Sequence, residues 1–141
     1  MIRLGIVGCN YGRTVQLPAF RNDPRCIVVA LAGTDRLRAA EIARASGIPT
    51  AFGNWEDLLK RSDIDAVAIA TPPDVQPAIA TRAFERDKAV FIEKPMAASL
   101  QDAAAMLQAS RMGEQIAMID FNFTEVMAWR KAKELIDAGA L

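Results

Sequence analysis

Histidine is absent from the 141 residues, cysteine occurs only twice, and neither charge sign dominates, with 17 lysines and arginines against 17 aspartates and glutamates. Without net charge, no long-range field steers the chain toward nucleic acid or an anionic membrane; a small-molecule ligand is the expected partner. Cys9 and Cys26 have no metal-like spacing and no histidine to complete a site, so no metal is expected. Both thiols are read as small buried hydrophobes in a reducing cytosol. No apolar run approaches the roughly 18 residues that a bilayer-crossing helix requires. Strand-like sequence from Ile2 leaves no room for a signal peptide, so a cytoplasmic location is expected. Linkers, low-complexity tracts and short repeats are missing as well. What the chain does have is 52% hydrophobic residues, enough to bury the core of one domain.

Those residues fall into short runs separated by longer helical patterns: IRLGIV from Ile2, CIVVALA from Cys26, TAF from Thr50, DAVAIA from Asp65, AVFIE from Ala89 and IAMIDF from Ile116. Nearly continuous apolar content, rather than alternation, predicts strands covered on both faces, as in a parallel sheet. The pattern predicts an α/β fold, a doubly wound, mainly parallel, Rossmann-like sheet with strand order 3-2-1-4-5-6, because right-handed crossovers leave few other arrangements. Between the strands, Asn54 with Asp57 and Ser99 with Asp102 mark capped helix starts. Leu100, Ala103, Ala104 and Leu107 form one apolar stripe, and Val126, Trp129 and Ile136 another; both are assigned to the core. Gly139 stands where a left-handed C-terminal cap belongs.

Such sheets bind ligands beyond the C-terminal strand ends, where the strand order reverses. Four stretches follow strands there. The first is GIVGCNYGR, Gly5 to Arg13, which departs from G-x-G-x-x-G by placing Asn10 and Arg13 in the second and third glycine slots. Gly8 and Gly12 can turn the backbone or admit a phosphate, and Asn10 tolerates a left-handed conformation. Gly8, Asn10, Tyr11 and Gly12 are therefore candidate cofactor contacts, against a rival reading as a plain strand-to-helix turn. The second is AGTDR, with candidates Gly33, Thr34, Asp35 and Arg36. An acid there holds ribose hydroxyls, whereas small residues followed by arginine admit a 2'-phosphate, so NADP or NAD stays open with a lean to NADP. Asp35 can equally be a helix cap. The third is ATPPD, whose prolines stiffen the turn and suit a first helical position. The fourth is FIEKP, where Pro95 keeps Lys94 out of helical geometry, beside a carboxylate and over the rim, fit to hold a substrate hydroxyl.

The glycine turn followed by LPAF, the ATPPD turn, and EKP before a capped helix together resemble the glucose-fructose oxidoreductase and inositol 2-dehydrogenase (Gfo/Idh/MocA) family, from Ile2 to the end of the chain. The resemblance implies an NAD(P)-dependent oxidoreductase that passes a hydride between a nicotinamide and a sugar- or polyol-like substrate. It makes Lys94 the catalytic residue, in contact with the reacting hydroxyl and the nicotinamide ribose, and places Thr71, Pro72 and Glu93 along the cofactor. It also implies a cis Lys94-Pro95 bond. Gln76, taken as a further cofactor contact, stands where family members commonly carry histidine, and Asn122, Phe123 and Thr124 stand where they carry an asparagine-arginine pair.

Family members continue into a second domain that supplies an aspartate and a histidine. Residues 1–120 are thus expected to form the dinucleotide domain, and 121–141 to lead toward a substrate domain that this sequence lacks. By this reading the chain alone is inactive. Phe121, Phe123 and Trp129 are expected to be partly uncovered, favouring a homo-oligomer. The rival reading is a non-catalytic dinucleotide-binding module.

Overall fold

Six parallel strands pair in the order β3-β2-β1-β4-β5-β6. They are β1 (Ile2–Val7), β2 (Cys26–Ala32), β3 (Thr50–Phe52), β4 (Ala66–Ile69), β5 (Ala89–Glu93) and β6 (Ala117–Asp120) in a computed structural model that describes residues 1–140. The order is the one the apolar runs predict. β4 and β6 begin one residue later than those runs suggest, at Ala66 and Ala117.

Helices cover both faces. After β1 the chain enters a π turn (Gly12–Gln16) and continues into α1 (Leu17–Arg21); α2 (Arg36–Ala45), α3 (Trp55–Leu59), α4 (Gln76–Phe84) and α5 (Leu100–Arg111) follow the next four strands. A 3-10 turn (Asn122–Glu125) and α6 (Met127–Asp137) complete the chain. Asn54 and Ser99 cap α3 and α5, each accepting from the backbone N–H three residues on. Gly139 takes the left-handed conformation, with φ of 68°. The proline within the first turn of α4 is Pro77, while Pro72 lies in the turn before it and accepts from the N–H groups of Val75 and Gln76.

One core layer packs Leu58, Ile79 and Met106 against Val67, Ile69, Val90 and Ile92; the other packs Leu17 and Ala43 against Leu4, Ile6, Val28 and Leu31. Each fully buried Leu or Ile contributes on the order of 1.5–3 kcal/mol. Two expectations about the helices fail. On α5 the side facing the sheet carries Met106, with Ala103 and Ser110 half-buried, while Leu100 and Leu107 face solvent. On α6, Val126, Trp129 and Ile136 are all exposed, because this helix packs chiefly on the 3-10 turn before it. Cys9 and Cys26 are half-buried rather than buried.

Polar fastenings gather at the N-terminal ends of the strands. Arg3 grips the Asp65 carboxylate with its Nε at 3.0 Å, its Nη2 at 2.6 Å and its backbone N–H at 2.7 Å, holding that carboxyl down at about 2. The buried Lys88 ammonium donates to the carbonyls of Arg61 (2.7 Å) and Ile64 (2.9 Å), and burial pulls its pKa below the usual lysine value.

Candidate functional site

β1 and β4 are the neighbours at which the strand order reverses, and their C-terminal ends approach closely. Gly8 has φ of 127°, and a Cβ there would collide with the Ala70 carbonyl oxygen at the end of β4. Only glycine satisfies both demands. Above these ends opens a cavity of about 400 Å³, floored by Gly8, Ala32 and Ala70 and walled by Gly33, Thr34 and Thr71. Asn10, Asp35, Arg38 and Pro72 also line it.

Side chains around this cavity hold one another in place. A Cβ on Gly33 would strike the Cys9 sulfur, so that glycine leaves room for the thiol, whose pKa burial pushes up. Asp35 turns its carboxylate back onto α2, accepting from the N–H groups of Leu37 (2.9 Å) and Arg38 (3.1 Å). The cap is therefore a role its side chain takes, with Oδ1 engaged by both backbone donors. Arg38 reaches over the cavity to donate to Asn10 Oδ1 at 2.6 Å. Thr71 Oγ1 is a buried oxygen with no partner among the described residues. An unpaired buried hydroxyl costs stability unless a ligand or water completes it.

The opening turn departs from its reading in two places. Asn10 is not left-handed, since Asp87 is the non-glycine residue with positive φ among the described residues. Its carbonyl instead accepts from the N–H groups of Arg13 and Thr14, both at 3.0 Å, starting the π turn. Gly12 is buried, and its missing Cβ would lie 2.8 Å from Ile6 Cγ2. That glycine lets the helix start lie against β1.

The second half of the site lies at the tips of β5 and β6, outside the cavity. Strand register sets Glu93 beside Asp120. Glu93 is buried, and its carboxyl is pushed above the usual carboxylate value by that burial, then by the neighbouring Asp120 carboxyl and its charge. Gln16 Nε2 donates to Glu93 Oε1 at 3.3 Å. Tyr11 accepts at its hydroxyl from Asn122 Nδ2 at 3.3 Å, and burial, then the charges of Glu93 and Asp120, push its pKa up. Lys94 follows, exposed, joined to Pro95 by the cis bond that the resemblance implies.

The structure thus gathers Gly8, Asn10, Gly33, Thr34, Asp35, Thr71 and Pro72 around one cavity. Tyr11, Glu93 and Lys94 sit on the adjoining rim, while Gln76 is wholly buried beneath that rim. Arg36 is exposed, its Cβ packed over Gly53. Sequence reasoning passed over Gln16 and Asp120. Asp120 could have been found as an acid closing the strand next to Glu93; Gln16 has no local signal.

A parallel sheet in this order, with a glycine-floored crevice at its switch point, defines a dinucleotide-binding domain. Residues 2–121 match the Gfo/Idh/MocA family, described as an oxidoreductase family with an NAD-binding Rossmann fold, and the chain belongs to that family. It is 29% identical over 140 residues to an uncharacterized oxidoreductase of Synechocystis sp., covering 99% of this chain and 38% of the relative. Against the dTDP-3,4-didehydro-2,6-dideoxy-alpha-D-glucose 3-reductase of Streptomyces violaceoruber the identity is 30%, over 99% of this chain and 41% of that one. A 3-ketoreductase from Actinomadura kijaniata, solved in complex with TDP-benzene and NADP, superposes with a TM-score of 0.91 at 27% identity, covering 99% of this chain and 44% of that chain. The chain spans about two fifths of the length of the curated relatives it matches.

Proposed function

We propose that this chain is the cofactor half of an oxidoreductase that moves a hydride between a nicotinamide nucleotide and a hydroxyl or carbonyl carbon of a sugar- or polyol-like substrate. Residues 1–120 form the dinucleotide domain, and 121–141 lead toward a substrate domain. The observation behind this reading is the glycine-floored cavity at the β1/β4 switch point, with Lys94 following the C-terminal end of β5 on the same edge of the sheet. Gly8 and Gly33 bring backbone to the phosphates, Thr71 offers its unpartnered hydroxyl oxygen, and Lys94 holds the reacting oxygen of the substrate. The nicotinamide, when bound, supplies the hydride acceptor or donor. NADP is the preferred form: the Asp35 carboxylate is turned onto α2, while the Arg38 guanidinium lines the cavity where a 2'-phosphate would lie. The named relatives, a nucleotide-sugar reductase and a ketoreductase holding NADP, support the same substrate class and cofactor.

Calorimetric titration of the 141-residue chain with NADPH and NADH tests the first half. NADPH is expected to bind more tightly, and Arg38→Ala to erase the difference; failure of both nucleotides to bind overturns the reading. In the product of the complete reading frame, assayed with sugars and polyols, Lys94→Ala is expected to cut turnover about 100-fold or more while leaving NADPH affinity nearly unchanged. Nucleotide binding without any turnover there would leave a non-catalytic binding module instead.

A further inference from the structure

Gln76 opens α4 and has no exposure to solvent. Its single amide nitrogen donates twice, to the carbonyl of Glu93 at 3.1 Å and to the carbonyl of Pro95 at 2.6 Å. Those are the carbonyls on either side of Lys94. Two N–H donors on one neutral atom are what a side-chain amide offers and an imidazole nitrogen does not. The amide oxygen meanwhile has no partner among the described residues, so the group is retained at a cost in stability that an apolar side chain would avoid. Burying it makes sense through what the nitrogen does. From the other side, Gln16 holds the Glu93 carboxyl. The backbone around Lys94 is therefore tied from α4 and the Glu93 side chain from the π turn, while Lys94 itself faces outward.

We propose that Gln76 is a positioning residue for Lys94: one buried amide that spans the lysine and fixes the direction in which its side chain leaves the rim. The consequence for turnover rests on the role given to Lys94 under the proposed function. Gln76 is also continuous with the turn that carries Thr71 and Pro72, so the same segment that lines the cavity sets the lysine. Reorientation of a catalytic group by about 1 Å is enough to cost on the order of 100-fold in rate.

Gln76→Met keeps the length of the side chain and removes both donors. In the 141-residue chain, backbone amide NMR signals of Glu93, Lys94 and Met96 are expected to shift and broaden, with residues of β1 to β3 unaffected. In the complete protein, kcat is expected to fall about 10- to 100-fold with the substrate KM and NADPH Kd within about twofold. Gln76→His, which keeps one N–H donor, should recover part of the loss, and serves for both readouts if the methionine variant does not fold. Unperturbed signals around Lys94, or an unchanged kcat alongside a lowered Tm, would overturn the proposal. If the wild-type protein turns over no substrate, the proposed function fails, and the NMR comparison still decides whether Gln76 orders the lysine.

Discussion

Glu93 is 7% exposed and faces a second carboxyl, that of Asp120, with Gln16 donating to it and the Lys94 charge opposing the upward shift. Its folded form holds a proton more tightly than the unfolded chain, where a glutamate titrates near 4.5. A raised carboxyl pKa contributes stability that is complete below the unfolded value and is lost as pH rises through the folded one. Glu93→Gln, which cannot ionise, is therefore expected to leave the Tm almost unchanged at about pH 4 and to raise it at about pH 8. Thermal melts of both proteins across that range check it. An equal shift at both ends would mean that the carboxyl pair carries no strain from charge. Nothing in the residues next to Glu93 announces this pairing, because Asp120 lies 27 positions on and meets it only through the β5–β6 register.

Among elements, the π turn and α1 depend on Gly12 as a contact with β1. Gly12→Val directs a branched side chain at Ile6 and is expected to lower stability by about 1–3 kcal/mol, read from urea unfolding. Affinity for the nicotinamide nucleotide should fall with it, as the turn that carries Asn10 is displaced. A variant that unfolds at the wild-type urea concentration would show that α1 can shift without loss. Sequence made the elements themselves legible: continuous runs such as CIVVALA reveal strands buried on both faces, and Asn54, Ser99 and Asp35 reveal helix starts through local hydrogen bonding. Four of the loops that follow strands were legible for the same reason, since their glycines and prolines answer to backbone geometry. The faces of α5 and α6 were not. Apolar spacing identifies a stripe but not the surface that meets it, and on α5 flexible Met106, outside the expected stripe, took the place beside the sheet that Leu100 and Leu107 were expected to fill, with Ala103 of that stripe half-buried next to it. The division of labour between Gly8 and Gly12 was equally hidden, being set by how near Ala70 and Ile6 lie in space.

At the scale of the whole molecule, β6 and the segment after it expose five large apolar side chains, Met118, Phe121, Phe123, Met127 and Trp129. Large apolar side chains left exposed close together in sequence favour association. The 141-residue chain is accordingly expected to grow in average mass as its concentration rises, in light scattering or sedimentation, and Phe123→Ser with Trp129→Ser to suppress that growth. A monomer at every concentration would show these exposed side chains to be inert. The fastenings made by Arg3 and Lys88 lie at the opposite end of the strands from the cavity and from Lys94. The frame is bolted at its base and opens at its crown, so selection or design can exchange the crown's residues to suit a different nucleotide while the base keeps the same resistance to unfolding.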